Sequence, residues 1–271
     1  MEIKTFIVDA FTKEKFKGNP AGVCLLENDI KDATMLSIAQ ELGLSETAYI
    51  RRIERDNTFS IRYFSPKMEI PLCGHATLAA AKVIFKNFEI NEIHFINVEQ
   101  IDLLVKRQCD EIIMQFPVYD TITVTVPLTM LEALGLKGVI NTALSKKNKI
   151  ILLEISDPDI LAALNPNFNA LLNSYQNING VLVTAPSSNK DYDYYYRYFW
   201  PWAGTNEDPV TGGVQTFLAK YWSEKLNKKI MKAFQSSKRT GYMTVELQKD
   251  KVLISSQAVI TFEDALTGID C

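Results

Sequence analysis

A short aromatic motif occurs twice in this chain, half a chain length apart. Residues 61–66 read IRYFSP and residues 196–201 read YRYFWP, so Arg-Tyr-Phe-x-Pro recurs 135 residues later, at Arg62 and Arg197. Each copy ends a strand-like run at a proline and is followed by a glycine that opens a helix of small residues. A motif that recurs together with its sequel indicates an internal duplication, which restricts the fold to two similar halves.

Each half contains one of the two glycine-led helices. Gly74 precedes HATLAAAKVIF in the first half, and Gly212-Gly213 precedes VQTFLAKYW in the second. Between them lies VYDTITVTVP (118–127), a polar stretch rich in threonine that we interpret as the crossover. We therefore predict one domain over residues 1–117 and another over 118–271, with the last strand able to pack back on the first half.

The hydrophobic periodicity predicts many short strands and few helices. Helices are expected at 33–42, closed by Gly43 in a left-handed conformation, and at 76–86, 127–135, 159–163, 168–173 and 214–226. Strands are expected at 2–9, 22–26, 46–53, 58–64, 92–98, 101–106, 111–116, 150–155, 180–184, 192–199, 242–247, 251–255 and 258–262. Strands in runs with few crossover helices predict an α+β fold with mainly antiparallel sheets.

Composition excludes several classes of function. The formal charge of −3 and the pI of about 5.6 argue against nucleic acid and anionic membranes as partners. The four cysteines form no C-x-x-C pair, which is typical of a reduced compartment, and no apolar stretch reaches membrane-spanning length. We expect a cytoplasmic protein. With two histidines and no spaced Cys/His set, we expect no metal.

The glycine-led helix starts are candidate anion sites. The first backbone N–H groups of a helix have no internal partner, and the peptide dipoles add positive potential there. Gly74, Gly212 and Gly213 would then line a pocket between the halves that holds a small carboxylate or phosphate. The alternative is that these glycines only permit tight turns between strand and helix.

Proton-bearing side chains stand close to both helix starts. The 135-residue offset places Cys73 opposite Asp208, and a facing pair of this kind can remove a proton from a carbon and return one. His75 follows Gly74, and its ordinary pKa near 6.5 suits it to pair with a carboxylate. In the structural alternative, His75 is an N-terminal helix residue that hydrogen-bonds the backbone.

A further acid, Glu46, lies in GLSETAYI (43–50), at the corner between the first helix and a strand. Such a carboxylate is either solvated, caps the backbone, or is buried. Burial beside Leu44 and Ala48 would raise its pKa and allow proton exchange near neutral pH. Residue order alone leaves these possibilities open.

Four segments together resemble the PhzF family of phenazine biosynthesis-like isomerases. They are DAFTKEKFKGNPAGVCLL (9–26), LSETAYI (44–50), YFSPKMEIPLCGHATLAAA (63–81) and NEDPVTGG (206–213), and they span most of the chain in the family's order. The resemblance implies a diaminopimelate epimerase-like fold: two α+β halves, each a barrel-like sheet around a central helix, with the active site in the cleft. It also implies a homodimer that shifts a proton on a small carboxylate substrate without a cofactor.

By this resemblance, Glu46 matches the family's proton-shuttling glutamate, His75 its substrate-orienting histidine and Asp208 its aspartate. The related epimerases use two opposed cysteines, whereas here only Cys73 stands in such a place. Two positions depart from the family pattern: Gly213 replaces a serine, and Ser236 replaces a glycine. Loss of one buried hydroxyl contact is worth about 1–3 kcal/mol, enough to change the substrate. Two alternatives therefore stay open: a binding protein without turnover, and an epimerase that uses Cys73 with Asp208.

Overall fold

The computed structural model describes residues 2–53 and 56–269. The helices in these residues are α1 (Asp32–Leu42), α2 (Gly74–Asn87), α3 (Leu128–Leu134), α4 (Pro158–Ala163), α5 (Phe168–Ser174) and α6 (Gln215–Leu226). The first strands are β1 (Ile3–Ala10), β2 (Asn19–Leu26), β3 (Thr47–Arg52), β4 (Thr58–Phe64), β5 (Glu69–Ile70), β6 (Glu92–Ile96), β7 (Asp102–Gln108), β8 (Glu111–Pro117) and β9 (Ile122–Thr123). They are followed by β10 (Asn141–Ser145), β11 (Ile150–Glu154), β12 (Gly180–Pro186), β13 (Tyr194–Trp200), β14 (Thr205–Glu207), β15 (Ile230–Gln235), β16 (Gly241–Leu247), β17 (Lys251–Ser256) and β18 (Ala258–Leu266).

The chain divides into two compact units. The first comprises Met1–Gln115 together with Ile254–Cys271, and the second comprises Phe116–Leu253. The C-terminal strand β18 therefore belongs to the first unit, where it pairs with β1.

The strands of the first unit form a mixed sheet in the order β18-β1-β2-β3-β4-β6-β7-β8. Two of these contacts are parallel, β2 with β3 and β4 with β6. The others are antiparallel. Each parallel contact is bridged by a helix, α1 in the first case and α2 in the second, as parallel neighbours require a crossover.

The second unit repeats this pairing pattern. Its strands follow the order β9-β10-β11-β12-β13-β15-β16, with parallel contacts only between β11 and β12 and between β13 and β15. Helices α4 and α5 bridge the first parallel contact, and α6 bridges the second. The predicted α+β fold with two similar halves is confirmed.

All six predicted helices are present within two residues of the expected bounds, but some strands were missed. The missed strands are β5, β9, β10, β14 and β15. Three of them, β5, β9 and β14, have two or three residues, too few to show a period. Burial alternates along β15, but hydrophobicity does not follow it, since the small Ala233 is buried and the larger Ile230 is exposed.

Helix α2 forms the core of the first unit. Its sequence GHATLAAAKVIFKN is rich in alanine, the best helix former, and ten of its fourteen residues are buried. A helix buried on nearly all sides must be surrounded by other elements, and α2 packs against β1, β2, β3 and β18. None of the described helices is both long and apolar enough to cross a membrane.

The two copies of the repeated motif make the same ion pair at different spacing. The Arg62 guanidinium donates two hydrogen bonds of 2.7 Å to Glu69, and the Arg197 guanidinium donates bonds of 2.7 and 2.8 Å to Glu207. The partners are seven residues apart in the first unit and ten in the second. A 3-10 turn at Pro201–Ala203 accommodates the longer connection, so three residues are inserted after the second motif.

Two glycines with the same backbone conformation allow a matched test of local strain. Gly43 closes α1 with φ 62°, as predicted, and a Cβ there would meet only a carbonyl oxygen at 4.0 Å. Gly18 has φ +66°, but its Cβ would lie 2.1 Å from the Ala10 carbonyl oxygen. We expect Gly43→Ala to cost about 1 kcal/mol and Gly18→Ala about 3 kcal/mol in urea unfolding, because only the second adds a backbone clash. Equal losses would contradict this account.

Candidate active site

Glu46 reaches a buried position through the end of α1. The helix stops at Gly43, the chain turns, and Glu46 immediately precedes β3. Its backbone carbonyl accepts a hydrogen bond of 3.1 Å from the Gly22 N–H on β2, which fixes the corner. Only 8% of Glu46 is exposed, so the solvated alternative is wrong.

Cys73 and His75 flank the first residue of α2. Cys73 is the N-cap residue, in extended conformation, and His75 lies in the first helical turn. Both are buried, at 9% and 8% exposure. No acidic residue lies in the first turn of α2, so the positive potential of this helix start is not neutralised from within the helix.

The His75 ring joins the two segments. Its Nε2 lies 3.2 Å from Glu46 Oε2 and 3.4 Å from Ser45 Oγ, and its Nδ1 lies 3.3 Å from Cys73 Sγ. Both ring nitrogens therefore have a partner, which fixes the orientation of the imidazole. The structure thus brings Glu46 and His75 together, with Cys73 beside the ring. Ser45 was not predicted as a site residue, although its place beside Glu46 was a usable signal.

Pairing with His75 reverses the pKa shift expected for Glu46. Burial works to raise the Glu46 pKa, but the hydrogen bond and positive charge of His75, together with Ser45 and Cys73, hold it below its usual value. Burial works to lower the His75 pKa, but Cys73 and Glu46 raise it well above its usual value. Burial raises the pKa of the Cys73 thiol. At neutral pH Glu46 and His75 therefore pair as carboxylate and imidazolium, and the expected raised Glu46 pKa is wrong.

These opposite shifts predict a stability difference with two pH limits. A lowered Glu46 pKa contributes stability above the unfolded value, near 4.3, and loses it as pH falls through the folded value. A raised His75 pKa contributes fully below the unfolded value, near 6.5, and loses it as pH rises through the folded value. We expect the unfolding free-energy difference between wild type and His75→Gln to be largest between about pH 4.3 and 6.5. A difference independent of pH from 4 to 9 would contradict the ion pair.

Within the described part of the chain, the same three residues form a group of donors that could hold a metal ion. One ligand atom from each of Glu46, Cys73 and His75 lies within 4.8 Å of the other two, and all three residues are buried. Carboxylate, imidazole and thiolate are ligands that zinc accepts. Here each of these atoms already contacts another member of the group. The expected absence of a metal and of a cofactor stays a prediction.

Asp208 lies in the second unit, in a loop held by buried hydrogen bonds. It is 9% exposed, and its Oδ2 accepts from Thr211 Oγ1. The Gln235 side chain clamps the same loop: Nε2 donates to the Asp208 carbonyl at 2.6 Å and Oε1 accepts from the Thr211 N–H at 2.8 Å. Gln235 was missed from the sequence, because only the parallel pairing of β13 with β15 brings it to this loop. That Asp208 acts together with Glu46 and His75 stays a prediction.

The inserted turn changes which residues correspond between the halves. Beyond the turn the offset is 138, as Glu69 and Glu207 show, so Cys73 corresponds to Thr211 and Gly74 to Gly212. The predicted correspondence of Cys73 with Asp208 is wrong, because it carried the earlier offset across the insertion. A thiol in one half thus matches a hydroxyl in the other.

The remaining predicted substrate contacts are in the turn that leads into α6. Gly212 and Gly213 open it, with hydrogen bonds from the Gln215 N–H to the Gly212 carbonyl and from the Thr216 N–H to the Gly213 carbonyl. A Cβ at Gly213 would find no heavy atom within 4 Å, so the residue is not required by packing. The Ser236 hydroxyl is buried and has no hydrogen-bond partner among the described residues. Gly213 therefore leaves empty space where a side chain could fit, and Ser236 carries a buried hydroxyl that makes no hydrogen bond to the described residues.

Comparisons with known proteins agree on one family. Its model, described as phenazine biosynthesis-like protein (PhzC-PhzF), matches residues 8–264. A mouse protein named phenazine biosynthesis-like domain-containing protein 1 is 38% identical, covering 99% of this chain and all of the mouse protein. A Pseudomonas aeruginosa protein named as an uncharacterized isomerase is also 38% identical, over 98% of this chain and 99% of its own. The crystal structure of a PhzF family protein from Enterococcus faecalis superposes with a TM-score of 0.91 at 33% identity, covering 98% and 99% of the two chains.

Proposed function

The chain belongs to the phenazine biosynthesis-like (PhzC-PhzF) family, and on this premise we propose that it is an isomerase that moves a proton on a small carboxylate metabolite. Glu46 is the general acid and base, and His75 and Asp208 hold the substrate. The relatives named as isomerases support the reaction class. The observation that carries the proposal is the buried ion pair between Glu46 and His75 at the start of α2.

The proposed reaction is a proton shift without a change of oxidation state. The Glu46 carboxylate takes a proton from an activated carbon, and the electron pair of the broken C–H bond delocalises into the adjacent unsaturated system. The Glu46 carboxylic acid then returns the proton to a different carbon of the same molecule. Since one group gives back what it took, substrate and product have the same composition.

The negative charge of a bound substrate makes Glu46 a stronger base than it is in the free protein. A carboxylate with a lowered pKa is a weak base, but a bound anion shares the positive charge of His75 and raises the pKa of Glu46. The start of α2, which carries no acidic residue of its own, also favours such an anion. The proposal therefore favours a carboxylate substrate over a neutral one, with Gly74, Gly212 and Gly213 supplying backbone contacts.

Deuterium exchange tests this function directly. Purified protein is incubated in heavy water with cyclic and α-acidic carboxylates, and carbon-bound deuterium is measured by NMR. We expect incorporation into the substrate and its isomer, and no effect of added chelator. Light scattering on the same preparation tests the expected homodimer.

The unfilled positions in the second unit support a second candidate, a binding protein that has lost turnover. Gly213 and Ser236 leave a space and a hydroxyl that a ligand could use. Thermal-shift screening with metabolites distinguishes the two. A tightly bound ligand that is recovered unchanged and undeuterated favours binding alone, whereas conversion of that ligand eliminates it.

The contact between Cys73 and His75 raises the alternative of thiol-based epimerisation. Its expected partner, Asp208, is not the counterpart of Cys73 in the duplicated fold, and Thr211 is. We therefore expect Cys73→Ala to retain proton exchange within about threefold, because the thiol only orients the imidazole ring. If Cys73→Ala lowered the exchange rate more than about a hundredfold, Cys73 would instead be a catalytic base. This conclusion requires that the pH dependence of unfolding still shows His75 paired with Glu46.

A further inference from the structure

A cavity lined by charged residues lies in the first unit, and neither Glu46 nor His75 is among its lining residues. It has a volume of about 380 Å³, within the range of small-molecule sites. One wall is the C-terminal half of α2, with Lys82, Phe85 and Lys86, and the other is the β7–β8 hairpin with Arg107. Three cations on one cavity are notable in a chain whose net charge is −3.

The positive charge of the cavity is only partly neutralised. Lys86 pairs with Glu263 across the surface. Lys82 is half-buried, and none of the described residues hydrogen-bonds or ion-pairs with it. Arg107 donates only to neutral groups, to the Phe85 carbonyl at 3.1 Å and to Asn91 Oδ1 at 2.8 and 3.1 Å.

The Arg107 guanidinium is also oriented in advance. Its carbon lies 5.1 Å from the Phe85 ring centroid, and its hydrogen bonds to Asn91 and Phe85 hold the planar group in place. A cation held this way loses little side-chain entropy when it binds an anion. Phe85 and Ile112 also line the cavity but are almost wholly buried, at 6% and 2% exposure.

From this geometry we infer that the cavity binds the phosphate group of a small phosphate ester. The phosphate contacts Lys82 and Arg107. The inference is independent of the proposed isomerase activity, since none of these residues belongs to the Glu46–His75 group.

The hairpin turn offers an internal reporter and an opposing charge. Cys109 and Asp110 form the two-residue turn between β7 and β8 and line the cavity. Cys109 is exposed, whereas Cys24 and Cys73 are buried. Alkylation of Cys109 by iodoacetamide therefore reports on occupancy, in full-length protein carrying Cys271→Ser so that the C-terminal thiol does not contribute.

Phenyl phosphate is the probe and benzyl alcohol the uncharged control. We expect millimolar phenyl phosphate to slow Cys109 alkylation and benzyl alcohol to have no effect. Lys82→Gln should weaken protection about tenfold, because a charge-assisted hydrogen bond is lost, and Asp110→Asn should strengthen it about threefold, because a repulsive charge is removed. Lys82 is half-buried and Asp110 is exposed, and circular dichroism checks that both variants fold.

Three results would overturn the inference: no protection by phenyl phosphate, equal protection by benzyl alcohol, or a Lys82→Gln protein that responds as wild type does. Deuterium exchange in the Lys82→Gln protein should equal that of wild type, which separates this cavity from the proposed active site.

Discussion

Replacing Glu46 with glutamine is expected to lower substrate deuterium exchange by at least about a thousandfold. Removal of a general acid or base costs about 10² to 10⁴ in rate, and here one carboxylate both takes and returns the proton. Glutamine keeps the size of the side chain, and its carbonyl oxygen still accepts from His75 Nε2. The variant therefore removes the titratable oxygen and leaves the surroundings in place.

Glu41→Gln is the matched control for this experiment. It changes the net charge by the same amount, on an exposed residue of the neighbouring helix α1. We expect its exchange rate to equal that of wild type. If Glu46→Gln exchanged deuterium as fast as Glu41→Gln, Glu46 would not be the shuttle and the proposed reaction would need another base.

Replacing Arg197 with methionine is expected to destabilise the protein by about 3–5 kcal/mol. Arg197 is 7% exposed and is bonded on every side: to Glu207, and through Nη1 to the carbonyls of Leu161, Ala162 and Leu164 at 3.2, 3.2 and 2.7 Å. These carbonyls lie at the end of α4, where helical N–H donors run out. Without the guanidinium, a largely buried carboxylate and the carbonyls of Ala162 and Leu164 lose a donor, whereas the Leu161 carbonyl keeps the Leu164 N–H at 3.3 Å.

The duplication provides the control in the same chain. Arg62 makes the corresponding bidentate pair with Glu69 and also bonds Asp32, but its side chain is 27% exposed and Asp32 is 74% exposed. Water replaces these contacts, so Arg62→Met should cost about 1 kcal/mol. Urea unfolding of both variants gives the comparison. Equal losses of unfolding free energy would show that burial does not determine how much this ion pair contributes to stability. A double Arg197→Met/Glu207→Met protein should recover part of the loss, because no unpaired buried carboxylate remains.

Local patterns in the sequence were sufficient for the helices and for the family. Helices such as α2 are long enough to show their period, and Gly43 ends α1 by a property of its own backbone. The repeated Arg-Tyr-Phe-x-Pro motif indicated the duplication because its two copies lie at the ends of corresponding strands, β4 and β13. Glu46 and His75 became candidates from their positions after Gly43 and Gly74, and the motif resemblance supplied their expected roles.

Only the tertiary structure decided how these residues act on one another. The three-residue turn at Pro201–Ala203 moved the counterpart of Cys73 from Asp208 to Thr211, a change that the composition of the turn does not reveal. The direction of the Glu46 pKa shift depended on His75, twenty-nine residues further along the chain, whose ring lies 3.2 Å away in the folded unit. Hydrogen bonds and charge pairs act through space over a few ångströms, so their sign and strength are determined by packing and not by neighbours in the chain.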